Sequence, residues 1–254
     1  MPIDRAAYDD EARMVVVSMN GVTRAYPIAI LNWHEAINDV IDGTPVAVIY
    51  CPLCDSISVV DRRIGDDVLE FGISGLLFNS NVLLYDRRDN ALWSQVGLSA
   101  ISGPNAGKSL TYLPWTITTF AALAADHPQA TVVTRDTGHD RDYDRNPYVR
   151  YFASDRLMFP VTVEDPRLPA KARVIGVQLG EMTRAYPVDV IAASETGSIT
   201  DELEGGHTLT LKADKSGVVE VAHLPPGAKL VHSFWFAWAA LHNDTTIYGE
   251  PSAK

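Results

Sequence analysis

Thr23-Arg24-Ala25-Tyr26-Pro27 occurs twice in the chain, returning unchanged as Thr183-Arg184-Ala185-Tyr186-Pro187. The match extends beyond these residues, because Val174 to Val190 follows Met14 to Ile30 without a gap. A second echo comes later in each half. Phe120 to Val133, with Asp126-His127-Pro128 ahead of a Thr-rich segment, resembles Trp235 to Tyr248, with Leu241-His242-Asn243 ahead of Thr245-Thr246-Ile247. Two echoes in the same order indicate a duplicated unit. The chain divides accordingly into a first repeat (1–135), a connector rich in Asp, Arg, Tyr and Pro (136–172), and a shorter, degenerate second repeat (173–254).

Working outward from the echoes, Met14-Val15-Val16-Val17 is β-branched and Asn20-Gly21 is a turn, which predicts a hairpin leading into the repeated pentapeptide. Pro27 suits a first helical position, and Ile28 to Asn38 carries a helical pattern. That helix would put Ile30, His34 and Ile37 on one face and Leu31, Glu35 and Asn38 on the next. Pro45 to Cys51 is apolar without alternation, as in a strand covered on both sides. Short strands are expected at Ser56–Arg62, Val68–Ile73, Asn81–Asp86 and Ala91–Gln95, with a helix at Thr116–Ala125 and a strand at Ala130–Thr134. Phe234 to Trp238 reads as a core helix, and the matching places of His127 and His242 suggest helix C-caps. The fold class is therefore α+β, mostly antiparallel β with short helices, in two unequal pseudo-repeats packed together.

With 254 residues, 46% of them hydrophobic, the chain can bury a full core. Its net charge of −11 argues against a nucleic-acid or anionic-membrane partner, since phosphates attract the opposite balance. No apolar run is long enough to span a bilayer. The N-terminus has no apolar stretch of the signal-peptide kind, which points to a cytoplasmic protein, or to an exported one whose leader has been removed.

Both cysteines lie in one motif, Tyr50-Cys51-Pro52-Leu53-Cys54. Two cysteines cannot make a disulfide framework, so their closeness marks a site. The first reading is a transition-metal centre with Cys51, Cys54 and His34 as ligands and Glu35 orienting the imidazole. Such a Cys₂His set suits copper(I), or zinc with an open position, and in its fullest form serves an oxidoreductase. The second reading is a metal-free thiol–disulfide couple. The third is a structural or binding module with two inert, buried thiols. Ser74, Asn79, Arg87, Trp93 and Gln95 are expected to line the pocket of an unidentified small-molecule substrate. Two other motifs are decoys. Gly103 to Ser109 is one residue short of a phosphate loop, and Asp140 to Asp144 has Arg145 where a calcium loop needs glycine.

Beyond these motifs, the chain resembles an uncharacterised family, domain-of-unknown-function family 3179. The likeness rests on both Arg-Ala-Tyr-Pro copies, Trp33-His34-Glu35 with Asn38-Asp39, Tyr50 to Cys54, Phe71 to Gly75, Tyr85-Asp86-Arg87, Leu92 to Gln95 and Asn146-Pro147-Tyr148. The resemblance implies a prokaryotic protein, often exported in relatives, with no agreed activity or cofactor. It carries no catalytic assignment.

Overall fold

A hairpin made of β1 (Arg13–Met19) and β2 (Val22–Pro27) leads into α1 (Ile28–His34), and the same succession returns as β11 (Arg173–Leu179), β12 (Met182–Pro187) and α4 (Val188–Ala192). The computed structural model describes residues 1–215 and 217–250. After α1 comes a meander of β3 (Ala36–Ile41), β4 (Thr44–Cys51) and β5 (Ser56–Asp61). After α4 comes its counterpart, β13 (Ser198–Leu203), β14 (His207–Ala213) and β15 (Val219–His223). Each half then closes with a strand, a helix and a short strand. In the first half these are β9 (Thr116–Thr119), α2 (Phe120–Asp126) and β10 (Thr131–Val132). In the second they are β16 (Lys229–Phe234), α5 (Trp235–Leu241) and β17 (Thr246–Ile247).

Pairing interlocks the halves. One sheet runs β10-β2-β1-β9 and continues through β15-β14-β13. The other runs β17-β12-β11-β16 and continues through β5-β4-β3. Each sheet thus joins a four-stranded unit from one half to the three-stranded meander of the other. The registers correspond as well: Thr131 lies opposite Arg24 in a parallel pair, and Thr246 lies opposite Arg184 in the same way. A third sheet, β6 (Phe71–Phe78), β7 (Asn81–Asp86) and β8 (Leu92–Ser94) with the short strand Ser99–Ala100, comes from the first half alone.

Strand alternation assigns the core. Val15 and Val17 of β1, Val46, Val48 and Tyr50 of β4, and Ile175 and Val177 of β11 share one cluster with residues of both large sheets, so that core fills the space between them. The intervening Ala47 and Ile49 belong to a second cluster with Trp93 of the third sheet and Trp235 and Trp238 of α5. β4 is therefore covered on both sides, as its unbroken apolar run implies. Gly176 has to be glycine, because a Cβ there would come 2.1 Å from the Trp238 ring.

Two sequence expectations are corrected. The helix starting at Ile28 stops at His34, because Glu35 takes a left-handed conformation (φ 59°) and Ala36 opens β3. Ile37 and Asn38 are therefore strand residues. Thr116 to Thr119 is a strand, not a first helical turn, and Thr119 caps α2 by accepting from the Ala122 N–H. β-branched threonines prefer that extended conformation. The backbone N–H groups of His127 and His242 close α2 and α5 onto Leu123 and Trp238.

The repeated pentapeptide acts as a stitch between the sheets. Arg24 and Tyr26 of β2 both bond to Asp39 of β3, at 2.7 and 2.8 Å. Arg184 and Tyr186 of β12 bond to Asp201 of β13, both at 2.7 Å. In each case the hairpin lies in one sheet and the aspartate in the other. We predict that Asp39→Asn and Asp201→Asn each lower unfolding free energy by about 1–2 kcal/mol in urea titrations, with additive effects in the double variant.

Candidate dithiol site

Cys51 ends β4 opposite Ser56 of β5, so Pro52, Leu53, Cys54 and Asp55 form the loop of a hairpin. The Cys54 N–H bonds back to the Cys51 carbonyl at 3.1 Å, and Asp55 turns left-handed (φ 43°) to bring the chain into β5. This tight loop sets the two Sγ atoms 3.6 Å apart, both reduced and both buried. Cys51 keeps the parity of Ala47 and Ile49, so its side chain lies on the outer side of the sheet, with Val82, Phe234 and Phe236. The connector supplies the cover. Tyr151 of α3 (Val149–Phe152) donates its hydroxyl to the Leu53 carbonyl at 2.8 Å, and Tyr148, Phe152, Leu157 and Val161 pack around it.

The two thiols have different surroundings. Burial disfavours charge on Cys51, yet its pKa falls below the ordinary value because the Cys54 thiol and backbone N–H groups of Val82 and Cys54 bond to its sulfur; Glu35 works against them. Burial and the donated bond push Cys54 well up. The Cys54 sulfur also lies 3.2 Å from the Ser80 carbonyl and 3.6 Å from Asn81 Nδ2. Asn81 Nδ2 bonds to Gln95 Oε1 at 2.7 Å, and Gln95 bonds to Ser56 and Ser58. This buried chain of amides and hydroxyls is internally satisfied and holds the Cys54 side of the loop in place.

His34 lies elsewhere. Its Nε2 bonds to the Tyr143 hydroxyl at 2.6 Å, and its ring packs 5.3 Å from that of His139. Burial, His139 and Arg141 all lower its pKa. Among the described residues, no three His, Cys, Asp or Glu side chains are grouped to hold a metal. Glu35 is half-buried, which raises its pKa, and its charge acts on Cys51 and Tyr148. Of the expected lining residues, Gln95 reaches the site through Asn81. Asn79 instead accepts from Thr162, and Ser74 donates to the Leu83 carbonyl. Trp93 is a core residue bonded to Asp86, and Arg87 pairs with Glu70 at the surface.

A charged group beside the thiols went unnoticed in the sequence. The Asp55 carboxylate is wholly buried and receives Arg13 at 3.2 Å, Arg173 at 2.7 Å and the Tyr50 hydroxyl at 2.9 Å. Its carbonyl accepts from His232 Nδ1 at 2.7 Å. Burial alone would raise the Asp55 pKa, but Arg13, His232 and Arg173 hold it far below the carboxylate range. Burial pushes His232 down to about 4. Arg13 and Arg173 stand at equivalent positions, one residue before each hairpin echo. That identity was the available signal.

Fold and site together define an α+β protein of two interlocked sheets with a covered dithiol hairpin. Residues 2–231 match the family described as "Protein of unknown function (DUF3179)", and the chain belongs to it. No curated protein and no solved structure matches the chain. Among the described residues, no helix is long and apolar enough to cross a membrane.

The charge cluster dictates the pH response of stability. His232 has a folded pKa below its unfolded value of about 6.5, so the unfolded chain gains the proton first and stability falls as pH drops from about 6.5 towards 4. Asp55, also depressed, adds its loss below about pH 4, where the unfolded carboxylate protonates. Urea unfolding from pH 8 to 3 should follow that course. His232→Asn should flatten the limb between pH 6.5 and 4, and Asp55→Asn should cost about 3–5 kcal/mol at neutral pH.

Proposed function

We propose that the protein acts through Cys51 and Cys54 as a metal-free dithiol that cycles with a disulfide. The observation that supports this reading is the geometry of the pair: two free sulfurs 3.6 Å apart in one hairpin loop, with the histidine expected to join them engaged by Tyr143. Closing them to a bond of about 2.0 Å needs a small loop adjustment and no rearrangement of the sheet. The inequality of the thiols supports it too, since Cys51 has the lower pKa and Cys54 retains a proton.

In the exchange, the Cys51 thiolate attacks one sulfur of a disulfide substrate, forms a mixed disulfide and expels the other sulfur as a thiolate. Cys54 then attacks the Cys51 sulfur, and its proton passes to the departing thiol. The sum is one substrate disulfide reduced to two thiols and one Cys51–Cys54 disulfide formed, two electrons on each side. Because Tyr148, Tyr151 and Phe152 cover the loop, exchange with a bulky substrate requires α3 to lift. Glu35 tunes the attack, since its negative charge raises the Cys51 pKa.

Four measurements test this reading. Cys54→Ser protein should accumulate a mixed disulfide at Cys51 with a small aromatic disulfide, and the wild-type pair should titrate reversibly with a potential of about −270 to −120 mV, the range of known exchange pairs. Glu35→Gln should shift the pH profile of Cys51 alkylation to lower pH, because it removes the charge that raises the Cys51 pKa. Elemental analysis of protein made in copper- and zinc-supplemented medium should find no stoichiometric metal. About one ion per chain, lost in Cys51→Ser, would establish the metal centre instead and discard the dithiol cycle.

A further inference from the structure

α3 covers the thiol pair, and few polar contacts hold it down. Cys51 and Cys54 are 1% and 0% exposed, so a reagent or substrate reaches them only when their cover moves. Among the described residues, two side chains hydrogen-bond segment 146–158 to the rest of the molecule. The Tyr151 hydroxyl donates to the Leu53 carbonyl at 2.8 Å, and Lys171 Nζ donates to the carbonyls of Tyr151 and Ser154. No ion pair joins this segment to any other described residue.

Lys171 itself is firmly placed. Its neighbours Ala170 and Ala172 accept backbone bonds from Phe236 and Trp235 at the start of α5, at 2.9 and 2.7 Å. From there its ammonium reaches the last carbonyls of α3, the groups a helix leaves unpaired, and lies 3.5 Å from the centre of the Tyr151 ring. Tyr151 in turn bonds to Leu53, between the two cysteines. A line of contacts thus runs from α5 through Lys171 and the lid into the dithiol loop. Burial lowers the Lys171 pKa and Asp155 pulls the other way, with no contribution from either thiol. The side chain therefore acts on the lid and not on the charge of the sulfurs. Leu157, Val161, Ala170 and Phe236 belong to the thiol cluster and also line a cavity of about 640 Å³, so a lifted lid opens the thiols towards a space of substrate size.

We propose that Lys171 is the latch of this lid, a positioning residue that sets how large a disulfide can reach Cys51. Its hold on the two carbonyls keeps α3 down. Small disulfides then gain entry through local openings, and bulky ones, such as those of a polypeptide, only when the ammonium lets go. The consequence for exchange rests on the dithiol reading, whereas the accessibility of the sulfurs does not.

The test alkylates the reduced full chain with iodoacetamide and with pyrenylmaleimide and compares the two rates. Lys171→Met, which keeps the stem over the Tyr151 ring and removes the donors, should raise the rate with the bulky reagent about tenfold relative to the small one. Lys171→Arg, whose guanidinium can donate to both carbonyls, should keep the wild-type ratio. In both variants the pH midpoint of Cys51 alkylation should stay at its wild-type value. If Lys171→Met does not fold, Lys171→Gln takes its place, with the same direction of change. The proposal is overturned by an unchanged ratio in the folded Met or Gln variant, by an equal rise with both reagents, by a ratio in Lys171→Arg as high as in Lys171→Met, or by a moved pH midpoint. Reduction of hydroxyethyl disulfide by the wild-type protein is measured separately. Its absence discards the exchange reading and leaves the latch to be decided by the alkylation ratio.

Discussion

A single buried carboxylate holds the two halves in register. Asp55 lies where the β4–β5 hairpin of the first half meets β16 of the second, and it receives one arginine from each half. An ionised aspartate with no contact to solvent is tolerable only if paired and hydrogen-bonded on all sides. Here two guanidinium groups and a tyrosine hydroxyl meet that condition. The requirement acts in both directions. Without either arginine the buried charge would be left short of a partner, and the two meet there because β1 and β11 occupy equivalent positions. Such a pair contributes more to specifying one arrangement than to net stability, since burying its charges offsets most of their attraction.

Interlocking explains why the stitches fall where they do. If each repeat had folded on itself, the meander would have extended its own hairpin's sheet. Instead it extends the other's, so neither half has a finished sheet alone. The contact between a hairpin and its own meander then runs between sheets, and that is the gap that Arg24, Tyr26 and Asp39 span in one half and Arg184, Tyr186 and Asp201 in the other. Each residue of the pentapeptide but its threonine has a part in this arrangement. Its arginine and tyrosine reach across, its alanine sits buried in the core, and its proline sets the backbone that starts the helix.

Much of this was legible in the sequence, and the rest has identifiable causes. The hairpins, the double-covered β4 and the buried helix after Phe234 follow from local pattern alone. The exchange of meanders does not, because strand pairing between halves leaves no local trace. α1 was overextended because Ile37 continues a helical spacing, while nothing in the type of residue at Glu35 announces a left-handed turn; asparagine or glycine would have. His34 was drawn to the cysteines by nearness in sequence, but that turn separates the last residue of α1 from the course of β3 and leaves its ring with Tyr143 of the connector. Of the groups around Cys54, the sequence offers only Gln95, which acts through Asn81; the direct partners Ser80 and Asn81 lie in an insertion, far along the chain from the loop they secure.

That insertion shows how two similar halves come to differ in chemistry. In the second half the chain passes from β15 to β16 through residues 224–228, whereas in the first it takes residues 62–115 to pass from β5 to β9. The longer path builds the third sheet, which sets Ser80, Asn81 and Gln95 around the Cys54 sulfur and the hydroxyls next to it. The connector then adds Tyr148, Tyr151 and Phe152 over the loop. Both sources of cover are absent from the second half. A pair of thiols in place of Asp214 and Val218, at the corresponding loop there, would face the groove shared with Trp115 and Glu220. It would lack the buried amides that hold one sulfur and the aromatic roof that excludes water. The scaffold is common to both halves, and what distinguishes the thiol-bearing half is the added chain that turns an ordinary hairpin loop into an enclosed site.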